Sequence, residues 1–348
     1  MVAEHDAKAL RLRLLEELRA AVGFDAYVWL LTDPTTAVGA APVADVPCLH
    51  ELPTLIKAKY LTEVNRWTGH GDGPAARSLQ MTTGGEPARS LLWRAVLCRY
   101  QVADVLSVVF RDAHGWWGFL DLWRRGGAFQ PPEVEHLSRL AASITDALRR
   151  CQAATFAETP VPQRADTGPA VLVLDDELTV VGETTAAAHW LERLVPPTGG
   201  APTVPAAVYN VAGQLLAREQ GVDGHPASAR VHLADGFWVT LRAARLAARP
   251  GSGAPPIAVT LEETSPLDRL DVFVRGFALT PREGELLRLL AAGADTRDAA
   301  RRLFLSEHTV QDHLKSIFAR TGARTRRSLL SRAMGSSPEQ EKAHGRET

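Results

Sequence analysis

The feature that most constrains this chain is a series of helix boundary signals near its C-terminal end. Leu279-Thr280-Pro281-Arg282-Glu283 places a hydroxyl at an N-cap, a proline at the first helical position and a glutamate three residues after the cap. That combination is a capping box, and it fixes where a helix must begin. Leu286, Leu287, Leu289 and Leu290 follow as a buried stripe, and Gly293 supplies the left-handed residue that ends it. A second helix begins near Thr296 and buries Ala299, Ala300 and Leu303, small enough for another helix to approach closely. Phe304-Leu305 makes a turn, and Ser306 caps a third helix whose apolar positions Val310, Leu314, Ile317 and Phe318 all fall on one side. Glu307, His308, Gln311, Asp312 and Lys315 are left on the free side, hydrogen-bonding groups near the N-terminus of a helix, where an inserted helix meets base edges in a major groove. Gly322 closes this helix, and a fourth starts from Thr325, buries Leu329, Leu330 and Ala333, and shows Arg326, Arg327 and Arg332.

Charge agrees with that reading. The whole chain of 348 residues carries a formal charge of -1, yet between Arg297 and Arg332 nine Lys and Arg stand against three acids. A basic end on an acidic body is suited to phosphates.

From Leu279 to Leu330 the sequence LTPREGELLRLLAAGADTRDAARRLFLSEHTVQDHLKSIFARTGARTRRSLL resembles the LuxR/FixJ-type C-terminal helix-turn-helix. The match includes the L-T-x-R-E opening at Leu279 to Glu283, the glycine before the second helix at Gly293, and the S-x-x-T-V-x-x-H-L core at Ser306 to Leu314. In this chain Ala299 stands where the family usually has a bulky aliphatic, Gln311 where it usually has lysine, and Thr321-Gly322-Ala323 where it usually has Leu-Gly-Val. The resemblance implies a four-helix, all-α DNA-binding domain over residues 276–335 whose third helix is the recognition helix. Gln311, Asp312 and Lys315 are then expected to face bases, and Arg297, Ser306, His308 and Thr309 to meet phosphates. It also implies a homodimer contact through Arg326, Leu329, Leu330 and Ala333, double-stranded DNA with an inverted repeat as partner, and RNA polymerase as a further partner.

The longer N-terminal part reads as α+β, giving a multidomain α+β protein overall. Leu10, Leu14, Leu15 and Leu18 share one helical face, Tyr27 to Leu31 reads as a strand, and a helix is expected near Leu55 to Trp67. Val105 to Phe110 and Trp116 to Trp123 are apolar runs joined across Arg111 to Gly115, the pattern of a β-hairpin. Pro131-Pro132 then opens a helix with Val134, Leu137, Leu140, Ala141, Ile144 and Leu148 at spacings of three and four. The segment ADVLSVVFRDAHGWWGFLDLWRRGGAFQPPEVEHL and this order resemble a GAF domain, an antiparallel sheet flanked by helices, over residues 1–155. That resemblance implies a pocket for a small ligand or a dimer contact. Trp116, Trp117, Trp123 and His114 are its candidate lining, although aromatics alternating on a hairpin more often form core.

Pro160, Pro162, Gly168 and Pro169 mark a linker, drawn at residues 156–169. Beyond it, Ala170 to Leu174 and Leu178 to Val181 read as a hairpin around Asp175-Asp176-Glu177, followed by helices at Thr184 to Leu194 and near Pro205 to Glu219. Strands are expected at Ala229 to Leu233, Phe237 to Ala244 and Ile257 to Glu262. With VLVLDDELTVVGETTAAAHWLERL this unit, residues 170–264, resembles a PAS domain. A linker helix at 265–275 and a disordered tail at 336–348 complete the expected organisation.

Three separated cysteines, Cys48, Cys98 and Cys151, fit a reducing compartment, and a cytoplasmic location is expected. No secretory signal or span of 18 apolar residues is present, so no membrane partner is expected. His189, His225 and His232 lack metal-ligand spacing, and neither a metal nor another cofactor is expected. The motifs of nucleotide hydrolases, zinc proteases, serine hydrolases and dithiol enzymes are absent, which argues against an enzyme. Two readings stay open at this stage: a DNA-binding transcriptional regulator governed by small-molecule or protein signals, and a ligand-responsive interaction scaffold whose helical domain no longer binds DNA.

Overall fold

The computed structural model describes residues 6–71, 73–157, 168–194, 204–233, 237–247 and 254–335. Its chain forms two compact units, one of Met1–Leu148, Asp166–Val231 and Val239–Glu262, the other of Arg149–Ala165, His232–Trp238 and Glu263–Thr348. The tail at 336–348 and residues 158–167 of the expected linker lie outside the described residues.

The first unit opens with α1 (Ala7–Val22), capped by the Asp6 carboxylate, which accepts from Lys8 N at 2.9 Å. Strands β1 (Ala26–Thr32) and β2 (Gly39–Asp45) form an antiparallel pair, and α2 (Leu52–Leu61) follows. This helix starts earlier than the hydrophobic pattern suggests, because Pro53 sits in its first turn, and the chain turns to an extended residue at Thr62. After β3 (Ala76–Ser78), α3 (Leu79–Thr83) and α4 (Leu91–Ala95) comes the expected hairpin, β4 (Asp104–Asp112) and β5 (Gly115–Arg124). Gly115 is required there: its φ is +146°, and a Cβ would lie 2.4 Å from the Pro34 carbonyl oxygen. Helix α5 (Pro131–Ala154) closes this part, and the strands run β2-β1-β5-β4-β3.

A second sheet is built from β6 (Ala170–Leu174), β7 (Val180–Glu183), then α6 (Thr185–Leu194) and α7 (Ala206–Glu219), then β8 (Ser228–His232), β9 (Trp238–Arg245) and β10 (Ile257–Glu263). Its order, β7-β6-β10-β9-β8, repeats the neighbour pattern of the first sheet strand for strand. One expectation is corrected: Leu178 is not in a strand but in the turn, at φ +62°. Asp175 Oδ1 accepts from both Glu177 N (2.9 Å) and Thr179 N (2.8 Å), and this side-chain turn holds Leu178 out of the ladder.

Within this unit α7 lies against α2 and β2. Gly213 allows the approach, since a Cβ would stand 3.2 Å from the Tyr60 ring, and Asn210 Nδ2 donates to Gly39 O at 2.8 Å. Two buried ion pairs reinforce the contact. Arg230 grips Asp33 with Nε at 2.7 Å and Nη2 at 2.8 Å, and Arg66 Nη2 reaches Asp223 Oδ2 at 2.6 Å. Burial pushes the Asp223 carboxyl up, but hydrogen bonds from His225, Thr68 and Arg66 outweigh it and hold the group far below its ordinary value.

The second unit contains α8 (Pro266–Gly276), α9 (Pro281–Ala291), α10 (Thr296–Leu303), α11 (Glu307–Thr321) and α12 (Arg326–Met334). Each begins behind a capping side chain: Ser265, Thr280, Asp295, Ser306 and Thr325. The segment expected as a linker helix is α8, and it packs against α12 and α9. Phe156 joins this core, stacked 5.3 Å from Trp238 and edge-on to Phe273 at 5.3 Å.

The Asp223 geometry sets a pH dependence. A carboxyl whose folded pKa is depressed stabilises the fold fully above its unfolded value of 3.8 and loses that contribution as the pH falls below it. Asp223→Asn should lower the unfolding free energy at neutral pH by about 3 kcal/mol, the scale for breaking a buried pair, and flatten the acid limb. Denaturant titrations of both proteins between neutral pH and pH 2 test this; parallel curves would refute it.

Candidate nucleic-acid interface

The helix-turn-helix is assembled from local signals. Helix α10 ends where Phe304 takes the left-handed conformation at φ +56°, and Leu305 N donates back to Ala300 O at 2.9 Å. Ser306 then caps α11, accepting from Thr309 N at 3.1 Å and bonding the Thr309 hydroxyl at 2.9 Å. Val310 and Ile317 are wholly buried and Leu314 nearly so, packed with Ala299, Ala300 and Leu303 of α10. The small Ala299, the position where the resemblance leads one to expect a bulky aliphatic, is completely covered.

With one side of α11 held this way, Gln311, Asp312 and Lys315 stand in solvent on the other. Lys315 Nζ is 3.0 Å from Asp312 Oδ1 and His308 Nε2 is 3.5 Å from Asp312 Oδ2. The hydrogen bond from Lys315 is the chief reason the Asp312 carboxyl lies below its ordinary value. Arg297, at the start of α10, has its side chain 84% exposed and its Nε 3.3 Å from Glu307 Oε1. Exposed pairs of this kind are weak and exchange readily for phosphate oxygens.

The expected dimer residues divide. Leu329 and Ala333 are fully buried in the unit's own core, so their side chains cannot form an outward contact in this arrangement. Arg326 is also turned inward, its Nη2 donating to Ala294 O at 2.6 Å, which satisfies a carbonyl just past the end of α9. Of the four, Leu330 is the half-exposed apolar residue.

Sequence reasoning missed a clamp on α11. Glu283 completes the α9 capping box, with Thr280 N donating to its Oε2 at 2.7 Å, and is only 3% exposed. Burial raises its pKa, yet hydrogen bonds led by that from Ser316 of α11 bring it below its ordinary value. Arg320 Nη1 donates to Ala278 O at 2.9 Å from the same helix.

In the first unit a cavity of about 590 Å³ lies between the sheet and α2. Of the four side chains proposed as pocket lining, Trp123 borders it. The other three do not: Trp116 packs edge-on to Phe119 and His225, Trp117 Nε1 donates to Asp112 Oδ1 at 2.9 Å, and His114 lies beside the same carboxylate in the hairpin turn. His225 pairs with Asp223, His189 is exposed, and burial pushes His232 down to about 4.

Four capped helices, the third with one covered and one polar open side, define a helix-turn-helix domain. Residues 278–333 match the family described as bacterial regulatory proteins, luxR family, and this C-terminal segment is a domain of that family. Proteins named "Putative HTH-type transcriptional regulator" in Mycobacterium bovis and Mycobacterium tuberculosis are 41% identical to it over 56 residues. That stretch is 16% of this chain and 6% of each relative. Among solved structures, the phage VqmA-DPO complex is similar over 49% of this chain and 85% of its own, with 19% identity and a TM-score of 0.24. The Vibrio cholera VqmA-Ligand-DNA complex is similar over 50% and 87%, with 18% identity and a TM-score of 0.23. At such scores the superposition is too loose to place any residue of this chain.

Phe304 combines a left-handed backbone with a side chain 94% exposed, so it gains no burial to offset the strain. Phe304→Asn, a residue that tolerates this conformation, should stabilise the helical unit by about 0.5 to 1 kcal/mol. Thermal melts test this; a lowered midpoint would mean that the Phe304 ring holds the turn.

Proposed function

We propose that this chain is a DNA-binding transcriptional regulator in which α11 enters the major groove. The observation that carries the reading is the division of α11 in a luxR-family domain: Val310, Leu314 and Ile317 inside, Gln311, Asp312 and Lys315 outside. Gln311 is matched to adenine, Lys315 to guanine and Asp312 to the cytosine amino group. Arg297, Ser306, His308 and Thr309 surround the same end of the helix, where backbone N–H groups favour phosphate. Dimerisation on an inverted repeat uses the outer side of α12, with Leu330 and the exposed Arg327 in place of the buried Leu329 and Ala333.

The remainder of the chain is read as the regulatory part, a GAF-like domain over residues 1–155 and a PAS-like domain over 170–264. Two sheets of matching strand order and the cavity beside the first support this assignment. In this reading a small molecule or protein bound there alters access to DNA, RNA polymerase is the downstream partner, and the site of action is the cytoplasm.

Selection of binding sites from genomic fragments, followed by fluorescence anisotropy at several salt concentrations, tests the proposal. Lys315→Ala should weaken the selected site by about 1 to 3 kcal/mol and leave nonspecific DNA nearly unchanged. Arg297→Ala should weaken all sequences alike and reduce the slope of log K against log salt by about one. If no fragment binds in a salt-sensitive way with or without cell extract, the proposal fails, and a stoichiometric protein partner without a DNA footprint would favour the scaffold.

A further inference from the structure

Phe304 carries two costs that the fold does not recover. Its backbone is left-handed at φ +56°, where an L side chain crowds the following carbonyl. Its ring is 94% exposed, against 66% for Leu267, the next most exposed large apolar residue among those described. Leu178 shares the conformation at φ +62°, but it is wholly buried, and packing offsets its strain. Single apolar residues on a surface are ordinary. A bulky one held in a strained conformation, with almost none of its surface covered, is the mark of a site that serves something outside the chain.

The turn itself does not use the ring. Phe304 N donates to Arg301 O at 3.3 Å and Leu305 N to Ala300 O at 2.9 Å, backbone bonds open to any residue that adopts the left-handed form. The two residues that start the approach to this turn, Arg301 and Arg302, are both exposed cations. Arg301 is paired with Asp298 at 2.5 Å, whereas Arg302 has no ion pair among the described residues.

The chemistry of the ring selects between occupants. It has no hydrogen-bonding group for a phosphate, and the apolar features of DNA, thymine methyl groups and base steps, lie inside the grooves. The reading above places Gln311 and Lys315 there, more than a turn further along α11. A protein surface suits the ring better. Aromatic side chains and arginines are the usual anchors of protein interfaces, seated in a well-packed pocket of the partner, and a carboxylate at the rim of such a pocket answers Arg302.

We infer that Phe304 and Arg302 form a docking point for a protein bound beside the regulator on DNA, one that presents an apolar pocket with a carboxylate at its rim, and that RNA polymerase is this occupant. The site deepens the reading given under the proposed function and rests on it, because it names the surface through which the downstream partner is met.

The test uses the full chain, a DNA fragment with the selected site beside a promoter, and purified RNA polymerase holoenzyme as the probe. Polymerase affinity for the promoter is measured with the site saturated by regulator, which removes any effect of a variant on DNA affinity. Wild type should raise that affinity, and Phe304→Asn should lose about tenfold of it, the scale of removing an aromatic anchor, while its specific DNA affinity and melting temperature do not fall. Phe304→Tyr, which keeps the ring, should retain the gain, and Arg302→Glu should lose it. With Phe304 replaced by p-benzoylphenylalanine, irradiation of the ternary complex should link the chain to a polymerase subunit. Recruitment by Phe304→Asn equal to that of wild type, no recruitment by wild type, or a link formed only to DNA or to a second copy of the chain overturns the inference. A lowered melting temperature in Phe304→Asn also overturns it, since the ring would then serve the turn, and the photochemical arm decides even if that variant does not fold. Failure of wild type to bind DNA removes both readings, whereas intact DNA binding without a role for Phe304 removes this one alone.

Discussion

The functional reading depends on the rotational setting of α11, and a few apolar contacts determine it. A helix turns 100° per residue, so moving Val310 and Ile317 out of the core by one position would carry polar neighbours into it. No polar partner is available there to receive them, because the facing surface of α10 is Ala299, Ala300 and Leu303. The small alanines bring α10 close, and Ala323 closes the far end of the same core. Glu283 adds a polar constraint from α9, reaching Ser316 and standing 3.9 Å from Arg320. Packing sets the angle of the helix, and the buried carboxylate resists its sliding.

In the first unit the governing interactions are of another kind. Two sheets with the same strand order are joined through α7, and the contact is fixed by Asp33 with Arg230 and by Arg66 with Asp223. Apolar surfaces tolerate small shifts, whereas a two-pronged guanidinium grip loses its hydrogen bonds with a modest rotation. These pairs therefore define orientation more than they add stability. The same arrangement brings Pro205, Ala206 and Asn210 to the cavity beside the first sheet.

Much of this architecture was legible because it is encoded locally. Caps, glycine stops and the three- and four-residue spacing of leucines act over a single turn, so Thr280, Ser306 and Thr325 mark real helix starts. The hairpin around Gly115 and the free side of α11 were legible for the same reason. Illegible features have long sequence separations. Arg230 and Asp33 are 197 residues apart, and nothing near either residue announces the other. Leu178 fits a strand by hydrophobicity, but the neighbouring Asp175 carboxylate captured the backbone first. Arg326 looked like a surface cation until the carbonyl of Ala294, from another helix, was placed beside it. Trp123 and Trp116 are equivalent as letters, and only the strand register sends one to the cavity and the other to the aromatic contact with His225.

The basic segment shows how a charge count must be filtered by structure. Three of its nine cations serve the fold: Arg320 donates to Ala278 O, Arg326 to Ala294 O and Arg332 to Phe156 O and Thr321 O. Each donates to a backbone carbonyl at or just beyond a helix end. The others, Arg297, Arg301, Arg302, Lys315, Arg324 and Arg327, are exposed, and they lie on α10, on α11, in the α11–α12 connection and on α12. Asp298, Glu307 and Asp312 partner three of them through exposed ion pairs that water and salt weaken. What the fold consumes is therefore charge tied to backbone carbonyls, and what it leaves is exposed on the helix-turn-helix and the segment that follows it. A polyanion approaching this side meets unspent cations with hydrogen-bonding side chains between them, the order in which nonspecific attraction precedes base recognition.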